Sequence, residues 1–113
     1  MNIQIFGTKK CNDTKKAERF FKERGIKYQF IDMKEKGMSK GELTSVAGTN
    51  GGIANLVNPD AKDSDAVALF QYTADGDKLE KLLEMQQIIK TPVVRNGRQS
   101  TIGYQPDVWK KWE

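Results

Sequence analysis

Ile3-Gln-Ile-Phe-Gly7-Thr-Lys-Lys-Cys11-Asn-Asp-Thr14-Lys-Lys-Ala17-Glu-Arg-Phe20-Phe21 decides how the rest of the chain is read. Ile3 and Ile5 alternate as in a strand, Gly7 to Lys10 make a short loop, and Ala17, Phe20 and Phe21 fall on one side of a helix. The single cysteine then sits where that helix begins. Unsatisfied amide N–H groups and the positive end of the helix dipole favour a thiolate over a thiol at such a place. Lys9, Lys10, Lys15 and Lys16 add positive charge nearby, so Cys11 is a candidate nucleophile. The plain alternative is a half-buried free cysteine with no role, against which the polar neighbours on both sides weigh. Thr14, three residues on, can point its hydroxyl back at the sulfur; its plain alternative is an ordinary first-turn residue.

The 113 residues suggest one domain with a modest core; 30% are charged and 37% hydrophobic, as in an ordinary globular protein. No stretch approaches the roughly 20 apolar residues of a membrane span. Met1-Asn-Ile-Gln-Ile-Phe6 lacks the basic start and apolar block of a signal peptide, so a cytoplasmic location is expected. One cysteine leaves no internal disulfide and no cysteine-rich metal site, so no metal ligand set is expected. With no histidine, zinc catalysis, a Ser-His-Asp triad and a Cys-His pair are also excluded. The net charge of +4 is spread over helical faces where lysines alternate with glutamates, as in Lys78-Leu-Glu-Lys81, which reads as a solvated surface with no nucleic-acid partner.

The first helix is expected from about Asp13 to Arg24, ending at Gly25. Lys27–Asp32 follows as a second strand, parallel to the first. Residues 34–89 read as a helical insertion: a capping box at Ser39–Glu42, a break at Gly48–Gly52, a short helix at Ile53–Asn58, another over Ala61–Gln71, and an amphipathic one started by Asp75-Gly-Asp77 and carrying Leu79, Leu82, Leu83 and Met85. Val67, Leu69 and Phe70 are its candidate buried groups. It is expected to pack on the edge of a small sheet. Thr91–Arg95 and Gln99–Gly103 read as a hairpin turning at Asn96-Gly97, and Tyr104–Trp112 as a terminal helix with Pro106 near its first turn. Read alone, Pro92 is a neutral feature at a strand start, since cis bonds are uncommon even before proline.

A βαβ unit with a cysteine at the helix start, followed by Thr-Pro, a hairpin and a helix, is the order of a thioredoxin-like α/β fold. Over essentially its whole length the chain resembles the ArsC/Spx family, which includes arsenate reductases, Spx-type transcription regulators and glutaredoxin-like relatives. The motifs that carry the resemblance are Phe6-Gly-Thr-Lys-Lys-Cys11-Asn-Asp-Thr14-Lys-Lys-Ala17, the helical insertion, and Thr91-Pro92-Val-Val-Arg-Asn-Gly97 with Ile102-Gly-Tyr104. The resemblance implies that Cys11 is a redox nucleophile, that Pro92 is a cis proline facing it, and that Thr91 pairs with the backbone of a thiol substrate. Lys10, Asn12, Thr14 and Lys15 are then the candidates for stabilising the thiolate, and Lys9, Thr91 and Pro92 for binding the thiol.

The chain departs from the family pattern in two ways. The arginines that bind the oxyanion in arsenate reductases are missing: Thr91 precedes Pro92, Gln105 precedes Pro106, and Ala54–Asn58 holds no arginine. A tetrahedral dianion would be held only by helix-start amides and lysines, which disfavours arsenate reduction. Spx-type regulators commonly carry Cys-x-x-Cys, whereas here the second position is Thr14, so a redox cycle needs an external thiol. The expectation is a monothiol glutaredoxin-like oxidoreductase with no bound cofactor, glutathione or another small thiol as co-substrate, and a small thiol or protein disulfide as partner. The alternative is an Spx-like protein that binds RNA polymerase or another partner through the region around Gly48–Asn58.

Overall fold

The computed structural model describes residues 1–112. Strand β1 (Ile3–Gly7) leads into helix α1 (Asn12–Glu23) and then strand β2 (Tyr28–Asp32). Helix α1 forms because Thr14, Ala17, Phe20 and Phe21 recur at helical spacing and are all buried. It stops at Gly25, whose φ of +67° suits a residue without Cβ. Around it the Ile26 amide donates to Phe21 O (2.9 Å) and the Gly25 amide to Lys22 O (3.1 Å), which is a Schellman closure.

Between β2 and β3 the chain is helical: α2 (Lys40–Thr49), a 3-10 turn (Ile53–Leu56), α3 (Ser64–Tyr72), a second 3-10 turn (Asp75–Asp77), α4 (Lys78–Glu84) and a third 3-10 turn (Gln86–Ile88). At the start of α2 the capping box is complete, with Glu42 N donating to Ser39 Oγ (3.2 Å) and Ser39 N to Glu42 Oε1 (2.9 Å). Helix α3 begins three residues later than the sequence suggested, because the Asp63 carboxylate accepts the Ala66 amide (3.1 Å) and fixes the cap there. Leu69, expected inside, is 52% exposed, while Val67 and Phe70 are buried. Leu69 lies about 200° around the helix from Val67, whereas Phe70 lies within about 60° of it, so helical phase puts Leu69 on the solvent side.

Strands β3 (Val93–Asn96) and β4 (Gln99–Ile102) form a hairpin, and α5 (Pro106–Lys110) closes the fold with Pro106 in its first turn. Asn96 pairs with Gln99, so the turn is centred on Gly97-Arg98, one residue beyond the expected Asn96-Gly97. Gly97 has φ +61° and Arg98 does not, which fits a turn with glycine at its first central position.

The sheet order is β2-β1-β3-β4, with β1 parallel to β2 and antiparallel to β3: a mixed thioredoxin-like sheet. Alternation along the strands supplies both layers. Ile3, Ile5 and Val94 face α1 and Trp109, whereas Phe6, Ile31 and Val93 face Leu43, Leu56, Leu82 and Ile88 of the helical segment. That segment therefore covers a whole face of the sheet; the expectation that it would sit at the edge underrated how much apolar surface it carries. The opposite layer is aromatic, with the Trp109 ring 5.2 Å from both Phe20 and Phe21 and its Nε1 donating to buried Thr101 Oγ1 (2.8 Å). Among the described residues no helix is long and apolar enough to cross a membrane.

Candidate active site

Cys11 is the N-cap of α1, with extended dihedrals of −79° and 118°, so it sits just outside the first helical turn in which the sequence placed it. Its amide donates back to Thr8 O (3.2 Å) and its carbonyl accepts the Lys15 amide (3.2 Å), a tight turn from β1 into the helix. The thiol is partly exposed. Eighty residues along, Thr91 meets it with two groups: Thr91 Oγ1 donates to Sγ (3.2 Å), and the S–H donates to Thr91 O at 3.7 Å. The Thr91-Pro92 peptide is cis, which the residue-only reading did not give and the family resemblance did.

The sulfur is poised for ionisation. Partial burial pushes the thiol up, but this is outweighed by the Thr14 and Thr91 hydroxyls and by the Thr14 and Asp13 amides, so the pKa lies below the ordinary thiol value. No capping hydrogen bond from the helix start reaches the sulfur, and buried Thr14 Oγ1 has no formed partner. A neutral thiol is a poor acceptor, and we read the Thr14 hydroxyl and the two amides as donors that the thiolate completes.

The other residues singled out by sequence divide clearly. Thr91, Pro92, Thr14 and Cys11 come together. Lys9, Lys10, Asn12 and Lys15 are exposed around the loop and helix start, and none of them is among the groups that lower the Cys11 pKa. Lys16 is drawn aside, 4.0 Å from Asp13 and over the Tyr104 ring. The expected oxyanion arginines have no substitute from elsewhere. Arg95 donates to Gln4 Oε1 (3.0 Å) and Glu42 Oε2 (3.3 Å), and Gln105 Nε2 donates to Ile102 O (2.6 Å). Among the described residues no group of three or more histidine, cysteine, aspartate or glutamate side chains is placed to hold a metal.

An open cleft of about 860 Å³ begins beside the thiol at Thr8 and Thr91 and runs along the helical segment past Lys34, Lys62, Gln86 and Gln87. Gln86 builds one of its walls. Its Oε1 accepts the Met38 amide (2.7 Å) and its Nε2 donates to Met38 O (2.8 Å), a two-point clamp on the loop after β2. Gly37 has no room for a Cβ against the same amide. Sequence reasoning missed this cleft because its residues come from four separate segments with no shared motif. Gly7 was also missed as a site residue. Its signal, a glycine ending a strand, was available.

The ArsC family profile matches residues 6–112. The chain is 26% identical over 112 residues to the global transcriptional regulator Spx 2 of Oceanobacillus iheyensis, covering 95% of this chain and 80% of that protein. Its fold superimposes on an arsenate reductase from Vibrio cholerae with a TM-score of 0.82 at 19% identity, covering 98% and 97% of the two chains. The glutaredoxin-like protein NrdH-redoxin from Escherichia coli gives a TM-score of 0.52 at 17% identity, covering 100% of this chain and 96% of the other. With a thiol at the helix start, Thr91-Pro92 against it and the family profile spanning nearly every residue, this chain belongs to the ArsC family.

Proposed function

We propose that this protein is a monothiol, glutaredoxin-like thiol–disulfide oxidoreductase. The observation that carries the reading is the Cys11 sulfur, held between Thr91 and the start of α1 with its pKa lowered by hydroxyls and amides. The Cys11 thiolate attacks one sulfur of a disulfide or of a glutathionylated substrate, forming a mixed disulfide. The other sulfur leaves as a thiolate and takes a proton from solvent. A small external thiol, glutathione or a similar one, then attacks the mixed disulfide as its thiolate. Cys11 is released reduced, and the oxidising equivalents leave as the disulfide of the external thiols. Thr14 cannot replace that external thiol, since it offers a hydroxyl where a dithiol protein has its second sulfur. The incoming thiol aligns along Thr91-Pro92, the body of the substrate lies in the adjoining cleft, and Lys9, Lys10 and Lys15 attract its carboxylates. The reaction needs a reducing compartment, in keeping with a cytoplasmic protein. The test is glutathione-dependent reduction of a mixed disulfide by wild type and by Cys11→Ser. Turnover is expected from the first only; a wild-type thiol pKa at or above about 8.5 with no turnover refutes the reading.

A second reading, an Spx-like protein that binds RNA polymerase or another partner, is favoured by the similarity to Spx 2. Unimpaired polymerase pull-down by Cys11→Ser would select it. Arsenate reduction is disfavoured because none of Arg19, Arg24, Arg95 and Arg98 lines the cleft; turnover of arsenate with glutathione and glutaredoxin would restore it.

A further inference from the structure

We propose that Gly7 is a positioning residue for the Cys11 thiolate: by ending β1 without a side chain, it leaves the space that Thr14 fills beside the sulfur. The inference rests on the reading of Cys11 as a reactive thiolate and adds a residue that acts on it through another.

The geometry is tight. A Cβ at Gly7 would stand 3.0 Å or less from Oγ1, Cγ2 and Cβ of Thr14. Real side chains do not approach so closely, so one side would have to move. Strand β1 cannot be the one that moves. Gly7 pairs with Asp32, its carbonyl accepts the Met33 amide (2.8 Å), and the strand lies between β2 and β3. Rotation about the Thr14 side-chain bond gives no relief, because both branches and the Cβ collide. A methyl at position 7 would therefore lift the first turn of α1, and with it the donors that face Cys11.

The arrangement is also unusual as pure packing. Thr14 is 0% exposed and its hydroxyl has no partner, a combination that ordinarily costs stability. An alanine or valine would fill the space without that cost. The same hydroxyl favours the charged sulfur. A buried donor kept free one helical turn from a nucleophile, with the strand end cleared to admit it, makes sense as a device for the thiolate.

The experiment measures the pH midpoint of Cys11 alkylation, and thermal stability, for Gly7→Ala, Thr14→Ala and the double variant. Each single variant is expected to raise the midpoint by about one unit, the size of one hydrogen bond to a charged group. The double variant is expected to raise it no further than Thr14→Ala alone. It should also recover part of the stability lost by Gly7→Ala, since two of the three colliding atoms are gone. Should Gly7→Ala fail to fold, Thr14→Ser and Gly7→Ala/Thr14→Ser replace it. Both keep the hydroxyl, so a raised midpoint in the second alone supports the proposal. A wild-type midpoint in Gly7→Ala, additive shifts in the double variant, or equal midpoints in the serine pair overturns it. A wild-type midpoint already at the free-thiol value overturns this proposal and the oxidoreductase reading together, whereas a lowered wild-type midpoint that Gly7→Ala leaves unmoved removes only this one.

Discussion

Thr14→Val separates what the site needs from what the core would prefer. Valine keeps the branched shape that packs on Gly7 and removes only the hydroxyl. A hydrogen bond to a charged group contributes about 1.5–3 kcal/mol. Cys11 is partly exposed, so water makes up some of the loss and the lower end applies. That corresponds to a pKa rise of about one unit. Two effects on rate then oppose each other. Below both pKa values the thiolate fraction falls about tenfold, while the more basic sulfur is intrinsically about threefold more nucleophilic toward a disulfide. Reaction with an aromatic disulfide, followed by stopped flow from pH 5 to 10, should therefore be about threefold slower in acid and about threefold faster on the alkaline plateau. The two profiles cross. Stability should move the other way: removing a buried hydroxyl without a partner is expected to add about 1 kcal/mol at pH 6, a rise in Tm of about 4 °C. Superimposable rate profiles, or a variant less stable than wild type, would refute the argument that this hydroxyl is held for the thiolate.

Because the folded pKa of Cys11 is depressed, its ionisation adds stability that is full above the unfolded value of about 8.5 and is lost as pH falls through the folded value. Wild type should thus gain on Cys11→Ala in denaturant midpoint as pH is raised toward 8.5, and parallel curves would contradict the lowered pKa. Gln86→Ala breaks both bonds to the Met38 backbone and should cost about 1–3 kcal/mol by urea unfolding while leaving the alkylation midpoint unchanged. Trp109→Phe leaves Thr101 Oγ1 without its donor inside the aromatic layer, and a loss of about 2 kcal/mol or more is expected from thermal melts. Leu69→Ser, on the exposed side of α3, should change stability by less than about 0.5 kcal/mol, in contrast to Phe70→Ser one residue on.

The parts of the fold legible in sequence were those fixed by local chemistry. The capping box at Ser39–Glu42, the glycine stop at Gly25 and the alternation in β1 each depend on residues within one turn or one strand, and each stands where sequence placed it. What failed depended on a competitor nearby or far away. Asp63 outcompeted the residues before it as a cap, and helical phase, with Val67 and Phe70 inward, turned Leu69 to solvent. Gly97 took the first central position of the hairpin turn, because the register across β3 and β4 is set by Val93 and Val94 facing opposite layers. The site divides in the same way. Cys11 and Thr14 are three residues apart on one helix start and were found together, whereas contact between Cys11 and Thr91 came from family resemblance, and the Gln86 cleft wall from neither.

Those two halves of the site explain why the thiol is placed at the end of β1. In a sheet ordered β2-β1-β3-β4, β1 is central, and its carboxyl end faces the amino end of antiparallel β3. The first residues of β3 therefore arrive at the point where α1 begins, which brings Thr91 to Cys11 across eighty positions of sequence. The strand end supplies the fixed point for both partners: Gly7 spaces Thr14 on one side, and Phe6 pairs with Val93 just after Thr91-Pro92 on the other. A sulfur so placed has its donors set by two rigid elements and its remaining side open to solvent and to the cleft. On the proposed oxidoreductase reading it exchanges one partner thiol for another, because no second cysteine in the chain competes for the bond that Cys11 forms.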